Sequence, residues 1–173
     1  MNRSFTKFDT LFLYEIIIGV ILNQYFAHVP TTIILSLILI GLSFEILTSH
    51  YWTYCEEFRK SFFTIEGSDV SLLAGVSWAG VLVICMNISV IILKQFHFAF
   101  DVLVVSVVVV GIIGNILETV CCKWGMFSYT QSWVSRMIFF KKEVCLWDVP
   151  LLVRVGYFIS FGPLCAIILY SIR

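Results

Sequence analysis

The apolar positions of this chain fall in long unbroken runs, not in the short alternations or narrow stripes of a water-soluble fold. The runs cover residues 11 to 27, 32 to 49, 70 to 93, 102 to 120 and 149 to 170. A helix needs about 20 apolar residues to cross a hydrocarbon core of roughly 30 Å. The pattern therefore predicts an all-α fold, a polytopic transmembrane helical bundle of about five spans. The run at 11 to 27 is the shortest. Arg3 and Lys7 precede it as they would a signal peptide, but Asn23-Gln24-Tyr25-Phe26-Ala27-His28 offers no small-x-small cleavage site, so it is read as a span.

Composition agrees with this reading: 60% of the 173 residues are hydrophobic and 13% charged, where soluble domains carry about 25% charged residues. No linker or low-complexity tract interrupts the chain, so residues 1 to 173 read as a single transmembrane domain. With five spans, Arg3, Lys7, Arg59, Lys60, Lys123, Arg136, Lys141 and Lys142 share one side, and only Lys94 and Arg173 fall on the other. That asymmetry predicts a multi-pass protein with a cytoplasmic N-terminus and an external or lumenal C-terminus. A net charge of zero gives no reason to expect a nucleic-acid partner. The expected partners are membrane lipids and a lipophilic small molecule, and a homo- or hetero-oligomer is compatible with the chain.

The six cysteines and three histidines lack metal-ligand spacing, so no metal and no cofactor is expected, and the thiols are read as reduced packing residues.

An internal repeat changes the picture. Gly41-Leu-Ser-Phe-Glu45 closes the second run and Gly114-Asn-Ile-Leu-Glu118 the fourth; Trp52-Thr-Tyr54 follows the first and Phe127-Ser-Tyr129 the second. The third run opens with Asp69-Val-Ser-Leu-Leu-Ala-Gly-Val76 and the fifth with Asp148-Val-Pro-Leu-Leu-Val-Arg-Val155, identical at five of eight positions. Each unit, about 36 to 93 and 109 to 172, is a span, a cytoplasmic loop and a span. Two such units have like orientation, a parallel duplication about an axis along the membrane normal. The first span, 11 to 27, stands outside it.

A carboxylate within a span is costly, so it faces the bundle interior and has a partner or a task. Glu15, Gly19 and Asn23 recur on one face of the first helix, Gly41 and Glu45 on the second, and Gly111, Gly114 or Asn115, Glu118 and Cys122 on the fourth. Such stripes of small and polar residues let helices approach closely. Glu45 and Glu118 are read as a catalytic, proton-handling pair, because a dry cavity favours the neutral acid over its carboxylate; the alternative is a purely structural hydrogen-bond role. Glu15 is a candidate ligand contact at the same depth. Asp69 and Asp148 suit helix capping as well as chemistry, and Asp148 is kept as a substrate-binding candidate. Arg154, about one turn inside the last span, must pair with a carboxylate such as Glu118, Glu45 or Glu15, reach the interface, or bind an anion. Of the aromatic residues near the cytoplasmic side, Trp52, Trp78 and Tyr129 are candidates to line a pocket whose ring faces stabilise a developing cation; the others suit an interfacial belt. Residues 127 to 140, aromatic with flanking cations, suit an interfacial or re-entrant segment.

The run Gly114-x-x-x-Glu118-x6-Gly125-x-Phe127-x-Tyr129, followed by Val149-Pro150, resembles small membrane-integral carotenoid-modifying proteins, the carotenoid hydratases and heterodimer-type lycopene cyclases. Ser43-Phe44-Glu45 is similar to a Phe-x-x-Glu-like setting in membrane-bound terpene cyclases. The resemblance implies metal-free protonation of an isoprenoid by membrane carboxyl groups, an isomerase or lyase type of chemistry, and carries over to Glu118 and, through the repeat, to Glu45. The paired acidic Pro-x-Glu-Glu pattern of the cyclases is missing, since Glu56-Glu57 lacks that proline. Gly114-Asn115-x-x-Glu118 with a later Asp148 is also similar to the motifs of lipoprotein signal peptidase. There Glu118 stands for an Asp, Thr119 for an Arg, and a second Asn is missing. The expected function is an isoprenoid- or lipid-modifying enzyme; the alternative is a small-solute transporter or transport-complex subunit using the same carboxylates and Arg154.

Overall fold

The computed structural model describes residues 3–96, 101–129, 145–146 and 149–172, with the backbone alone at 145–146 and 151–152. The fold is an all-α helical bundle. In chain order it comprises α1 (Lys7–Tyr25), α2 (Thr31–Thr48) with a 3-10 turn at Ser49–Tyr51, β1 (Trp52–Tyr54), the short α3 (Glu56–Arg59), α4 (Leu72–Gln95) and α5 (Val102–Lys123). Next come β2 (Phe127–Tyr129), β3 (Cys145–Leu146), β4 (Val149–Pro150), α6 (Leu151–Gly156), a π-helical turn at Tyr157–Phe161 and α7 (Gly162–Ser171).

Four stretches, Thr31–Tyr51, Leu72–Gln95, Val102–Lys123 and Val153–Ser171, are long and apolar enough to cross a membrane. α1 is not among them, because Asp9, Glu15 and Asn23 dilute its apolar run. It begins four residues before that run because Thr6 and Asp9 form a capping box: the Thr6 amide donates to Asp9 Oδ2 at 2.7 Å and the Asp9 amide to Thr6 Oγ1 at 3.3 Å. Asn23, expected on the interior stripe, instead closes the turn after the helix. Its amide group donates to the Val29 carbonyl at 3.0 Å and its Oδ1 accepts from the Val29 amide at 2.8 Å.

α4 is the central helix, with α1 and α2 packed along it and α5 alongside; α5 in turn packs on the last helix. Close approach rests on small residues. A Cβ on Gly41 would stand 2.2 Å from the Gly75 carbonyl oxygen, and one on Gly19 2.8 Å from that of Gly80. Between the helices lie Leu37, Leu82, Met86, Val110, Cys165 and Leu169, all buried, while Ile17, Ile21, Leu39, Leu47, Ile116 and Ile167 point outward. A water-soluble bundle would reverse that outer surface; here it suits lipid.

One end of the bundle is knitted by polar contacts. The Ser4 amide donates to the Lys60 carbonyl at 3.0 Å, Lys7 pairs with Glu57 at 3.2 Å, and Arg3 with Glu66 at 3.5 Å. Here β1 and β2 pair antiparallel, Trp52 opposite Tyr129, Thr53 opposite Ser128 and Tyr54 opposite Phe127. β3 and β4 form a second short pair. Of the interfacial segment expected at 127 to 140, residues 127–129 form strand β2, and the rest lies outside the described residues.

Two local expectations are corrected. Asp69 does not cap α4; Ser71 does, its side chain accepting from the Ala74 amide at 3.3 Å. Asp69 lies two residues earlier and holds the strand end, accepting from the Tyr54 amide at 2.8 Å and, with both oxygens, from Arg59 at 2.9 Å. The last apolar run starts in strand conformation at Val149–Pro150, and its helix is interrupted by the π turn just before Pro163, which has no amide hydrogen to donate.

Candidate functional site

Three carboxylates from three helices meet in one cavity of about 80 Å³ at the knitted end of the bundle. Glu15 comes from α1, Glu45 from α2 and Glu118 from α5, each no more than 8% exposed. Trp52, Tyr54, Trp78, Phe127 and Tyr157 provide most of the aromatic wall. The helical stripes bring this about: Gly114 and Glu118 both line the cavity, whereas Asn115 is turned toward α6.

Each acid has its own donors. The Tyr54 hydroxyl donates to Glu45 Oε1, and the Ser71 amide donates to the same oxygen at 3.0 Å. On Glu118, the Tyr129 hydroxyl donates to Oε1 and the Tyr157 hydroxyl to Oε2, the latter at 2.6 Å. Glu15 lies beside the Ser77 hydroxyl, which itself donates to the Ala74 carbonyl at 2.8 Å. Of the two phenols outside the spans, Tyr54 is buried and Tyr129 half-buried against these acids, and desolvation of the hydroxyls pushes both well above the ordinary tyrosine range.

The donor sets differ for a reason visible in the chain. Ser71 follows Asp69 by two residues as Pro150 follows Asp148. Pro150 has no amide hydrogen, so the donor that Ser71 gives Glu45 has no counterpart there. Tyr157, nine residues after Asp148, supplies a hydroxyl instead; the residue nine after Asp69 is Trp78. The rings of Trp78 and Tyr157 stack in the cavity wall with centroids 5.7 Å apart.

Of the residues singled out from the chain, Glu15, Glu45, Glu118, Trp52 and Trp78 line this cavity, and Tyr129 reaches it through its hydroxyl. Arg154 is buried against α5 and does not line the cavity. It donates to Asn115 Oδ1 at 3.1 Å and to Thr119 Oγ1 at 2.9 Å, and does not come within ion-pair distance of Glu15, Glu45 or Glu118. Asn115 and Thr119 flank Glu118 along the helix, so the expected direct ion pair is replaced by a polar contact to the same helix. Asp148 lies outside the described residues. Sequence reasoning missed Ser71 as a donor, and it took Tyr54 and Tyr157 only as belt aromatics; the aromatic-x-Tyr repeat was the signal for Tyr54 and Tyr129. Among the described residues no three His, Cys, Asp or Glu side chains gather as a metal-ligand set, and Cys55, Cys85, Cys121, Cys122 and Cys165 form no disulfide with one another.

No family model, curated protein or solved structure matches this chain. The geometry of the cavity is therefore what bears on function.

Proposed function

We propose that this protein is a membrane-embedded, metal-independent enzyme that protonates and deprotonates an isoprenoid or related lipid, with Glu45 as proton donor and Glu118 as proton acceptor. The observation that carries this reading is the meeting of Glu15, Glu45 and Glu118 in one aromatic-walled cavity. Both hydrogen bonds on Glu45 fall on Oε1, leaving Oε2 for the cavity. Both oxygens of Glu118 receive phenol hydrogens, an arrangement that matches a carboxylate, which only accepts. A proton passing from Glu45 Oε2 to a carbon–carbon double bond leaves a cation on the neighbouring carbon. Ring faces such as Trp78 and Tyr157 stabilise that cation. Loss of a proton to Glu118, after ring closure or addition of water, restores a neutral product.

We also propose five membrane passes, with α1 as the first and the N-terminus cytoplasmic, and a parallel duplication of the remaining four. The outward Ile17, Ile18 and Ile21 of α1 support the first statement. Arg3, Lys7, Arg59 and Lys60 at the knitted end, with Lys94 at the other end of α4, support the orientation. The antiparallel pairing of the two aromatic-x-Tyr strands about Thr53 and Ser128, with each tyrosine serving the glutamate of its own unit, supports the duplication.

The test is lipid-extract mass spectrometry on cells with and without the gene, followed by turnover of the converted lipid in detergent. Glu118→Gln should abolish turnover and leave the folded protein intact. Unchanged turnover removes Glu118 from the chemistry, and solute flux in sealed vesicles without chemical change selects transport instead.

A further inference from the structure

α2 and the last helix form opposite walls of a second cleft, of about 230 Å³. Phe44, Thr48 and Tyr51 stand on one wall, and Val153, Gly156 and Ser160 on the other. Trp52, Trp78, Glu118 and Tyr157 border both this cleft and the acid cavity. The two spaces thus adjoin at these four residues.

The cleft lies where the proposed duplication leads one to look for a closed seam. In that duplication α2 matches α5 and α4 matches the last helix, so the contact of α4 with α5 has its counterpart in the contact of the last helix with α2. The first seam is packed. Among the described residues the second is looser, and the Phe44 and Phe161 rings meet across it, 5.7 Å between centroids. α1 packs along α4 and sends Phe12 and Glu15 into the cavity, and the chain carries no second copy of it. Leu47 and Ile159, on the two helices that border the seam, are exposed on the outer apolar surface.

We propose that this seam is a lateral portal through which an elongated apolar chain, an isoprenoid or polyene lipid, enters from the bilayer and lies along the rings of Phe44, Trp78 and Phe161. Those rings contact one another, Phe44 with Trp78 at 5.5 Å and Trp78 with Phe161 at 5.4 Å, and form a continuous apolar track toward Glu118. An apolar chain is favoured over a headgroup because aromatic rings make up most of the described lining, and its polar members Glu118, Tyr129 and Tyr157 are bonded to one another. What happens to the ligand rests on the acid–base reading above; its binding does not.

Gly156 makes the portal testable. It lines the cleft, has a helical backbone, and a Cβ there would meet nothing within 4 Å. A bulky side chain at this position would start from open space and extend into the opening. The experiment uses the full chain in phosphatidylcholine vesicles with a diazirine-bearing geranylgeraniol, and adducts are mapped by mass spectrometry. The expected result is labelling of residues 44–51 and 153–161, suppressed by unlabelled geranylgeraniol and reduced about tenfold by Gly156→Phe. Glu118→Gln should keep the labelling while losing turnover; kept labelling with kept turnover sinks the acid–base reading and leaves the portal standing. Labelling spread over all outward faces without competition overturns the portal. So does undiminished labelling of Gly156→Phe. If Gly156→Phe melts below the wild type, Ser160→Phe at the exposed lip decides in the same way.

Discussion

The indole of Trp78 is stacked on the phenol ring of Tyr157, with their planes 20° apart. A Cβ on Gly41 would approach Trp78 Cβ to 3.1 Å, and one on Gly114 would approach the Tyr157 ring to 2.1 Å. Each side chain thus lies against the glycine four residues before a glutamate, in matching places of the two proposed units, and the rings meet where the units meet. They differ in the hydroxyl that only Tyr157 brings, which replaces for Glu118 the amide that Ser71 offers Glu45.

Tyr157→Phe keeps the ring and removes that hydroxyl. Leaving one oxygen of a buried acid without its donor costs about 1–3 kcal/mol. Thermal unfolding in detergent should therefore shift down, and turnover should fall while labelling of the neighbouring cleft by the isoprenoid probe persists. A variant that melts and turns over like the wild type would remove the Tyr157 hydroxyl from the site.

Helix contacts give a second prediction with opposite signs at two glycines. Gly41→Ala drives a methyl into the Gly75 backbone, 2.2 Å from its carbonyl oxygen. Backbone cannot rotate away as a side chain can, so the helices must separate, at a cost of about 1–3 kcal/mol. Gly156→Ala meets open space and gains helix propensity, up to about 1 kcal/mol. Melting temperatures of the two variants should fall on opposite sides of the wild type.

The alkaline limit of stability should follow Tyr54 and Tyr129. Both phenols are raised well above the ordinary value of 10.0 by burial. Between that value and the folded pKa the native state holds more protons than the unfolded one, so stability is fully present below about pH 10 and is lost as pH rises further. Phenolate absorbance should show both rings titrating well above pH 10. Tyr54→Phe together with Tyr129→Phe should flatten the alkaline loss, even though the double variant starts less stable.

Much of this arrangement was legible in the chain because membrane insertion imposes simple rules. Four of the five apolar runs fall on stretches long and apolar enough to cross a membrane, and the cost of a buried charge made Glu15, Glu45 and Glu118 stand out. The repeated Gly-x-x-x-Glu and aromatic-x-Tyr marked matching positions, but not that the two three-residue motifs pair as strands β1 and β2. That pairing depends on loop geometry, which hydropathy does not encode. The role of Ser71 was hidden because it acts through a backbone amide. Asp69 read as a helix cap, since a carboxylate shortly before an apolar run fits that role; only the fold reveals that Arg59 and the Tyr54 amide claim it. Arg154 read as the direct ion-pair partner of Glu118, Glu45 or Glu15, yet none of these stands within ion-pair distance and it donates to Asn115 and Thr119 beside Glu118, neither of which had been singled out for that task.

Glu45→Gln offers the cleanest separation of chemistry from fold. Because the Tyr54 hydroxyl and Ser71 amide both donate to Oε1, a glutamine carbonyl oxygen can take that place and keep both bonds, with its amide group directed to the cavity. The melting temperature should then stay near that of the wild type. The acid proton, however, is gone, and losing a general acid costs about 10²–10⁴ in rate. Turnover should fall by that factor with the substrate concentration dependence little changed, because the aromatic wall is untouched. A collapse in stability with turnover per folded molecule preserved would make Glu45 a structural post, and Glu118 would then have to act without it.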